Sequence, residues 1–220
     1  MSYIFHIWKY ESRCLIELAD TYFDMTQTHP PTKRPPAKED ARITKTRQKV
    51  LAAGAHLLFT EGWSEVTHLR LASETGVARG TLYRHWPRVD DLIVEVFETC
   101  DPTPYKAQRS GDLRTDLIAE LELLSTNLRQ TKLGDVILNA AHRKGTSPQM
   151  HFVHSAIQEI ILGAFLDVLK DQNIKPNKTQ TAQSLIGPVL YHHLFGADQD
   201  QLDVEKIVES FMAYELGSPV

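Results

Sequence analysis

Cysteine is nearly absent: Cys14 and Cys100 are the only two in 220 residues. Two thiols so far apart, in different contexts, build neither a disulfide framework nor the cysteine set of a zinc site. Such usage fits a reducing compartment, and a cytoplasmic location is the expectation. Long apolar runs are missing too. No stretch approaches the roughly 18 to 20 uncharged apolar residues that a bilayer span needs, so no membrane partner is expected. The opening Ile4, Phe5, Ile7 and Trp8 are cut off by Lys9, Glu11 and Arg13, which denies the segment the apolar core of a signal peptide. The chain also lacks a strand-like alternation, an internal repeat, a phosphate-cradling glycine loop and any nucleophile or metalloenzyme motif. Neither an enzyme nor a bound cofactor is expected.

What is present is ordinary in amount and uneven in place. The hydrophobic share is 42% and the charged share 24%, values that exclude a mostly disordered or collagen-like chain. The net charge of -4 is the sum of -2 over residues 1–29, +4 over 30–92 and -6 over 93–220. A basic block joined to a larger acidic one reads as a polyanion-binding module with a separate partner domain. Chance alone can produce such a bias, so motifs must decide.

Residues 26–36 are polar and carry Pro30, Pro31, Pro35 and Pro36, a composition that stays extended and solvated. Upstream, Leu15, Leu18 and Tyr22 would share one face of a short helix. Two readings stand: residues 1–24 are an over-extended reading frame ahead of a natural start at Met25, or they form an accessory helix. The arm from Lys33 to Lys38 is either a minor-groove contact or a disordered tail.

From Ala41 the periodicity is helical. Ile43, Val50, Leu51, Gly54, Leu57 and Leu58 recur at helical spacing before a stop at Gly62. Beyond a loop holding Asp101, Pro102, Pro104 and Gly111, Leu113, Leu117, Leu121, Leu124 and Leu128 stripe another helix. A further helix starts at Val136. Ser147-Pro148 opens one that runs to about Asp171, apolar on more than one face and so contacted from several sides. Residues 179–195 read as helix, and Asp203 caps a last one. The fold expected is all-α.

The segment from Val66 to Leu92 carries the chemistry. Thr67 caps a short helix containing Leu71 and Ala72, Gly76 leaves it through a left-handed turn, and a second helix follows from Ala78 to Trp86. Leu82 and Trp86, four apart, mark its inner stripe, while Arg79, Gly80, Thr81, Tyr83 and Arg84 take other directions. This is a helix-turn-helix whose second helix offers groove-reading side chains.

The stretch from about Thr44 to Val96 resembles the N-terminal domain of the TetR/AcrR family of bacterial transcriptional repressors. The resemblance rests on Leu58-Phe59-Thr60-Glu61-Gly62, Thr67, Leu71-Ala72, Gly76-Val77 and the run from Gly80 through Tyr83-Arg84-His85-Trp86 to Pro87, in order and spacing. Over the rest of the chain it is one of architecture, with Leu185-Ile186-Gly187-Pro188 similar to many members. Two departures stand out: Ala78 replaces the usual serine-like cap, and Val89 replaces a phosphate-contacting lysine, with Arg88 one position earlier.

The resemblance implies an N-terminal three-helix helix-turn-helix DNA-binding domain (residues 41–90), preceded by an extension (1–40). A C-terminal helical domain for ligand binding and dimerisation would follow (91–220). It implies a homodimer on double-stranded operator DNA, released by a small-molecule effector. Arg79 and Arg84 suit guanine edges or phosphate, Gly80 close approach of the backbone, and Thr81 a thymine methyl or phosphate. Tyr83, His85 and Arg88 would hold phosphates, as would main-chain N–H groups at Thr67 and His68. The alternatives are a helical enzyme or binding protein that uses the motif only for packing, and an activator of the same family. A packing helix would not turn Arg79, Tyr83 and Arg84 outward.

For the rest, His151 and His154 lie three apart without a further ligand in a recognised spacing, and no metal is expected. His142, His151, His154, Asn127 and Gln158 are candidate polar markers of a pocket whose lining is otherwise unknown. Val204, Ile207, Val208, Phe211 and Met212 form a stripe that one subunit would bury only in part, which places the dimer contact on the final helices.

Overall fold

The computed structural model describes residues 38–99, 107–170, 178–196 and 202–215. The N-terminal extension up to residue 37, Cys14, Met25, Cys100 and the prolines of the 101–106 loop lie outside the described residues. The chain divides into two units between Ile43 and Thr44. The first enters the described residues only as the opening turns of a helix, where Ile43 is half exposed.

The described residues are helical throughout, with no strand among them. α1 spans Lys38–Thr60, a 3-10 turn Trp63–Glu65, α2 His68–Thr75, α3 Arg79–His85 and α4 Val89–Glu98. Then come α5 Leu113–Gln130, α6 Leu133–Arg143, α7 Pro148–Val168, α8 Lys178–Phe195 and α9 Val204–Glu215. Side-chain caps mark several of the starts. Asp112 accepts from Thr115 N at 2.9 Å, Ser147 from Met150 N at 3.2 Å ahead of Pro148, and Asp203 from Lys206 N at 2.9 Å. Each satisfies a donor that the helix itself leaves open.

Two apolar clusters hold the chain. The first joins Val50, Leu57 and Leu58 of α1 with Leu71, Leu82, Trp86, Leu92, Ile93 and Val96. It runs on through Val136 and Ala140 of α6 into Met150, Val153 and Ile157 of α7. Gly54 makes room for α4, because a Cβ there would lie 2.7 Å from Leu92 Cδ2. The second gathers Leu117, Leu121, Leu124 and Leu128 of α5 with Phe165 of α7, Leu185 and Val189 of α8, and Val208 and Phe211 of α9. α7 takes part in both and packs against α4, α5, α6 and α8, as its breadth of apolar residues predicts.

α6 also stitches the head to the body with polar contacts. Lys132 N, just before it, donates to Phe59 O at 2.8 Å, and Asp135 accepts from Trp63 N at 2.8 Å. At its far end, Arg143 pairs with Asp90 at 2.7 Å and stands over the Trp63 ring.

The stripe on the last helix is buried only in part within the subunit. Val208 and Phe211 are buried within the subunit, and Val204, Ile207 and Met212 pack half-buried on the same cluster. The apolar surface left outward there is aromatic: Tyr191, Phe195 and Tyr214, 69%, 68% and 87% exposed.

Candidate nucleic-acid interface

The helix-turn-helix is built from short-range causes. Thr67 Oγ1 accepts from Arg70 N at 3.1 Å and starts α2. Gly76 ends it at φ 69°, a left-handed conformation that costs a residue with a Cβ but not glycine. Lys49 of α1 donates to Thr75 O at 2.7 Å, so a cation closes the same helix end. α3 then starts after Ala78, whose methyl group supplies no side-chain cap.

Leu82 and Trp86 point inward and are buried, which turns the opposite face of α3 to solvent. Arg79, Gly80, Tyr83, Arg84 and His85 are exposed, with Thr81 half-buried beside them. Arg79 has no hydrogen-bond or ion-pair partner among the described residues, and Arg84 reaches only Thr81 Oγ1 at 3.5 Å. Their situation contrasts with Arg47, Arg70, Arg88, Arg109, Arg114 and Arg143, each of which faces a carboxylate. A Cβ at Gly80 would meet nothing within 4 Å, so no packing inside the chain requires glycine there.

The side chains of three sequence-predicted residues are engaged within the chain. The His68 side chain is turned inward, 7% exposed, with Nε2 2.6 Å from Trp86 O and its ring stacked on Tyr83 at 4.1 Å. Only its main chain is left to face a phosphate. Tyr83 is half exposed but held on that imidazole. Arg88 stands at the start of α4 and pairs with Asp91 at 2.8 Å, while its own N–H donates to the same carboxylate at 3.0 Å. The guanidinium holds Asp91 below the usual carboxylate range. Much of the Arg88 charge is therefore already answered within the chain.

Sequence reasoning missed Glu95. It accepts from Trp86 Nε1 at 2.8 Å and from Arg47 through both carboxylate oxygens, with Nη2 at 2.6 Å from Oε2. Arg47 also lies over the Trp86 ring, 5.5 Å from its centre. The signal was a lone charge in the apolar run Leu92 to Phe97.

Behind the head lies a cavity of about 60 Å³, lined by Phe59 of α1, Phe97 of α4, Glu120, Leu124 and Asn127 of α5, Leu133, and five residues of α7. Glu120 is buried, accepts from Ala107 N at 3.0 Å and pairs with Arg109 at 3.0 Å. Of the five polar markers read from the sequence, only Asn127 lines it; His142, His151, His154 and Gln158 do not. Among the described residues no group of three His, Cys, Asp or Glu side chains gathers for a metal ion, and no helix is long and apolar enough to cross a membrane.

The family model described as bacterial regulatory proteins, tetR family, matches residues 50–96, which takes in the whole helix-turn-helix and most of α4. The HTH-type transcriptional regulator AcrR of Shigella flexneri is 28% identical over 138 residues, 58% of this chain and 62% of that protein. The nucleoid occlusion factor SlmA of Mannheimia succiniciproducens is 36% identical over 72 residues, 30% of this chain and 33% of that one. The chain thus spans less than two thirds of either relative's length. In fold it is similar to the crystal structure of a TetR family transcription regulator, with a TM-score of 0.59 at 21% identity, over 80% of this chain and all of that one. A second, a tetR-family regulator from Streptomyces coelicolor, gives 0.57 at 15% identity over 77% and 80% of the two chains. The motif, the geometry of the head and these relatives agree that residues 50–96 form a head of the kind described as bacterial regulatory proteins, tetR family.

Proposed function

We propose that this protein is a dimeric DNA-binding transcriptional regulator, a non-enzymatic repressor that a small molecule releases from its operator. The observation that carries the reading is the outer face of α3: Arg79 and Arg84 stand exposed and without an ion pair, on a helix whose opposite side is anchored in the core. In this reading α3 enters a major groove, where Arg79 reads a base edge and Thr81, Arg84 and His85 contact bases or backbone. Main-chain N–H groups at Thr67 and His68 meet a phosphate, Tyr83 adds a hydroxyl, and Arg88 contributes weakly because Asp91 competes for it. Residues 44–99 act as the reading head and 107–215 as the sensing and pairing body. The packing-only alternative would bury the face that is exposed here.

The second copy binds along α8 and α9, over Tyr191, Phe195 and Tyr214, which sets the spacing of two half-sites. The effector enters between α1, α4, α5 and α7. A drug-sized ligand needs a pocket of about 300 Å³ or more, so the present cavity must widen, and Phe97 on its wall puts α4 directly in the path of that widening. Selection of duplexes from a randomised pool tests the reading. Recovery of a two-fold symmetric site, bound by a species of about twice 25.0 kDa, is the expected result. A monomer that enriches no sequence overturns it.

A further inference from the structure

We propose that Glu95 is a positioning residue that aims the reading helix through Trp86, an inference that rests on the DNA-reading role given to α3 above. α3 is seven residues long, too short to hold its own direction, and it starts without a side-chain cap. Leu82 anchors it by apolar contact, which has no preferred angle. Direction comes from Trp86, the residue that ends the helix. Its indole is 2% exposed, its N–H points at Glu95 and its carbonyl receives His68 Nε2. Glu95 is in turn gripped by Arg47 from α1, whose guanidinium also covers the indole face.

A side chain only 13% exposed and bearing a charge loses solvation that a leucine would not, and it recovers that loss in one geometry only. The arrangement therefore specifies orientation more than it adds adhesion. It ties three elements, α1, α3 and α4, at one carboxylate. Phe97, on the wall of the cavity, lies two residues beyond Glu95 on the same helix. A displacement of α4 at Phe97 is thereby handed to the end of α3 through Glu95 and Trp86.

The experiment is a double-mutant cycle on full-length protein, using the duplex that wild type selects from a randomised pool and a scrambled duplex. Glu95→Ala leaves the buried indole N–H without an acceptor, and affinity for the selected duplex should fall about tenfold or more. Affinity for the scrambled duplex, set by charge, should not fall. In a Trp86→Phe background the bond is already gone, so the same change should cost little. Glu95→Gln keeps an acceptor for the indole and should recover most of what alanine loses. Equal costs in both backgrounds, or parallel loss on both duplexes with a lowered melting temperature, overturn the proposal. If the alanine variant does not fold, a glutamine variant as weak as tenfold below wild type overturns it as well. Hydrogen exchange of the Trp86 indole N–H needs no DNA. It should be slow in wild type and Glu95→Gln and fast in Glu95→Ala, and no change refutes the contact even if wild type selects no duplex. That last result by itself would instead remove the DNA-reading role.

Discussion

The outer face of α3 and the outer face of α8 and α9 both stay uncovered by the other described residues, yet they offer opposite chemistry. The first presents two unpaired guanidinium groups, a glycine and small polar groups on a helix of seven residues. The second presents Tyr191 and Phe195, ring to ring at 5.8 Å, with Tyr214 and a groove lined by Pro188, Ile207 and Phe211. A charged surface without partners suits a polyanion that brings its own counter-charges, and an aromatic one suits a protein surface that excludes water. In the proposed reading, one chain thus separates what it reads from what it pairs with.

The largest effect should come from spoiling the aromatic face. Tyr191→Glu with Phe195→Glu should halve the mass seen by light scattering. It should also weaken binding to a two-half-site duplex by about a hundredfold or more, because two linked heads become one. An unchanged mass would move the pairing surface elsewhere.

Next in size is Arg79→Ala, expected to cost about 1–3 kcal/mol on the selected duplex and to relax preference at one base pair per half-site. Arg88→Ala should do less, and do it equally on selected and scrambled DNA, since Asp91 already answers much of that charge. Binding isotherms at several salt concentrations separate the two. If Arg88→Ala proved the sequence-selective one, the roles would have to be exchanged.

Gly80→Ala should split stability from binding. The added methyl meets nothing within the chain, so the helix gains up to about 1 kcal/mol and the melting temperature rises by a few degrees. DNA affinity should drop, because the duplex backbone then meets a methyl. A variant improved in both would show that nothing approaches α3 at this point.

The smallest effect concerns acid. His193 contacts Ser125 Oγ at 2.8 Å between α8 and α5, and burial, with His192 and Arg129 nearby, lowers its pKa from the usual 6.5. A lowered folded-state value means that the unfolded chain takes up the proton first. This contribution to stability is therefore complete above about pH 6.5 and fades as pH falls towards the folded value. His193→Gln should flatten the fall in melting temperature over that range. An identical slope in the variant would assign the acid response to other groups.

These experiments fall along a line between what the sequence makes legible and what it does not. The head was legible because its signals are local: a cap three residues from its donor, a glycine at a left-handed turn, and two apolar side chains four apart. Glu95 was not, since its partners lie 9 and 48 residues away and only the folded chain brings them together. Which of the polar pocket markers face inward is not legible, for another reason. α7 is apolar around most of its circumference, so no phase in the sequence tells which side faces the cavity, and His151 and Gln158 fall outside. The stripe on α9 was real as periodicity, but periodicity does not say whether the partner is α8 of the same subunit or another copy.

The stitching of α6 bears on how such proteins can be recombined. The first apolar cluster does not stop at the end of α4; it needs Val136, Ala140, Met150, Val153 and Ile157 to be complete. A fragment cut at residue 99 would bare Leu92, Ile93 and Val96 to water and lose Asp135 and Arg143 as supports for Trp63 and Asp90. Chimaeras that graft this reading head onto a foreign sensor should therefore express poorly unless α6 and the first half of α7 travel with it. In that sense the transferable module is larger than the motif that announces it.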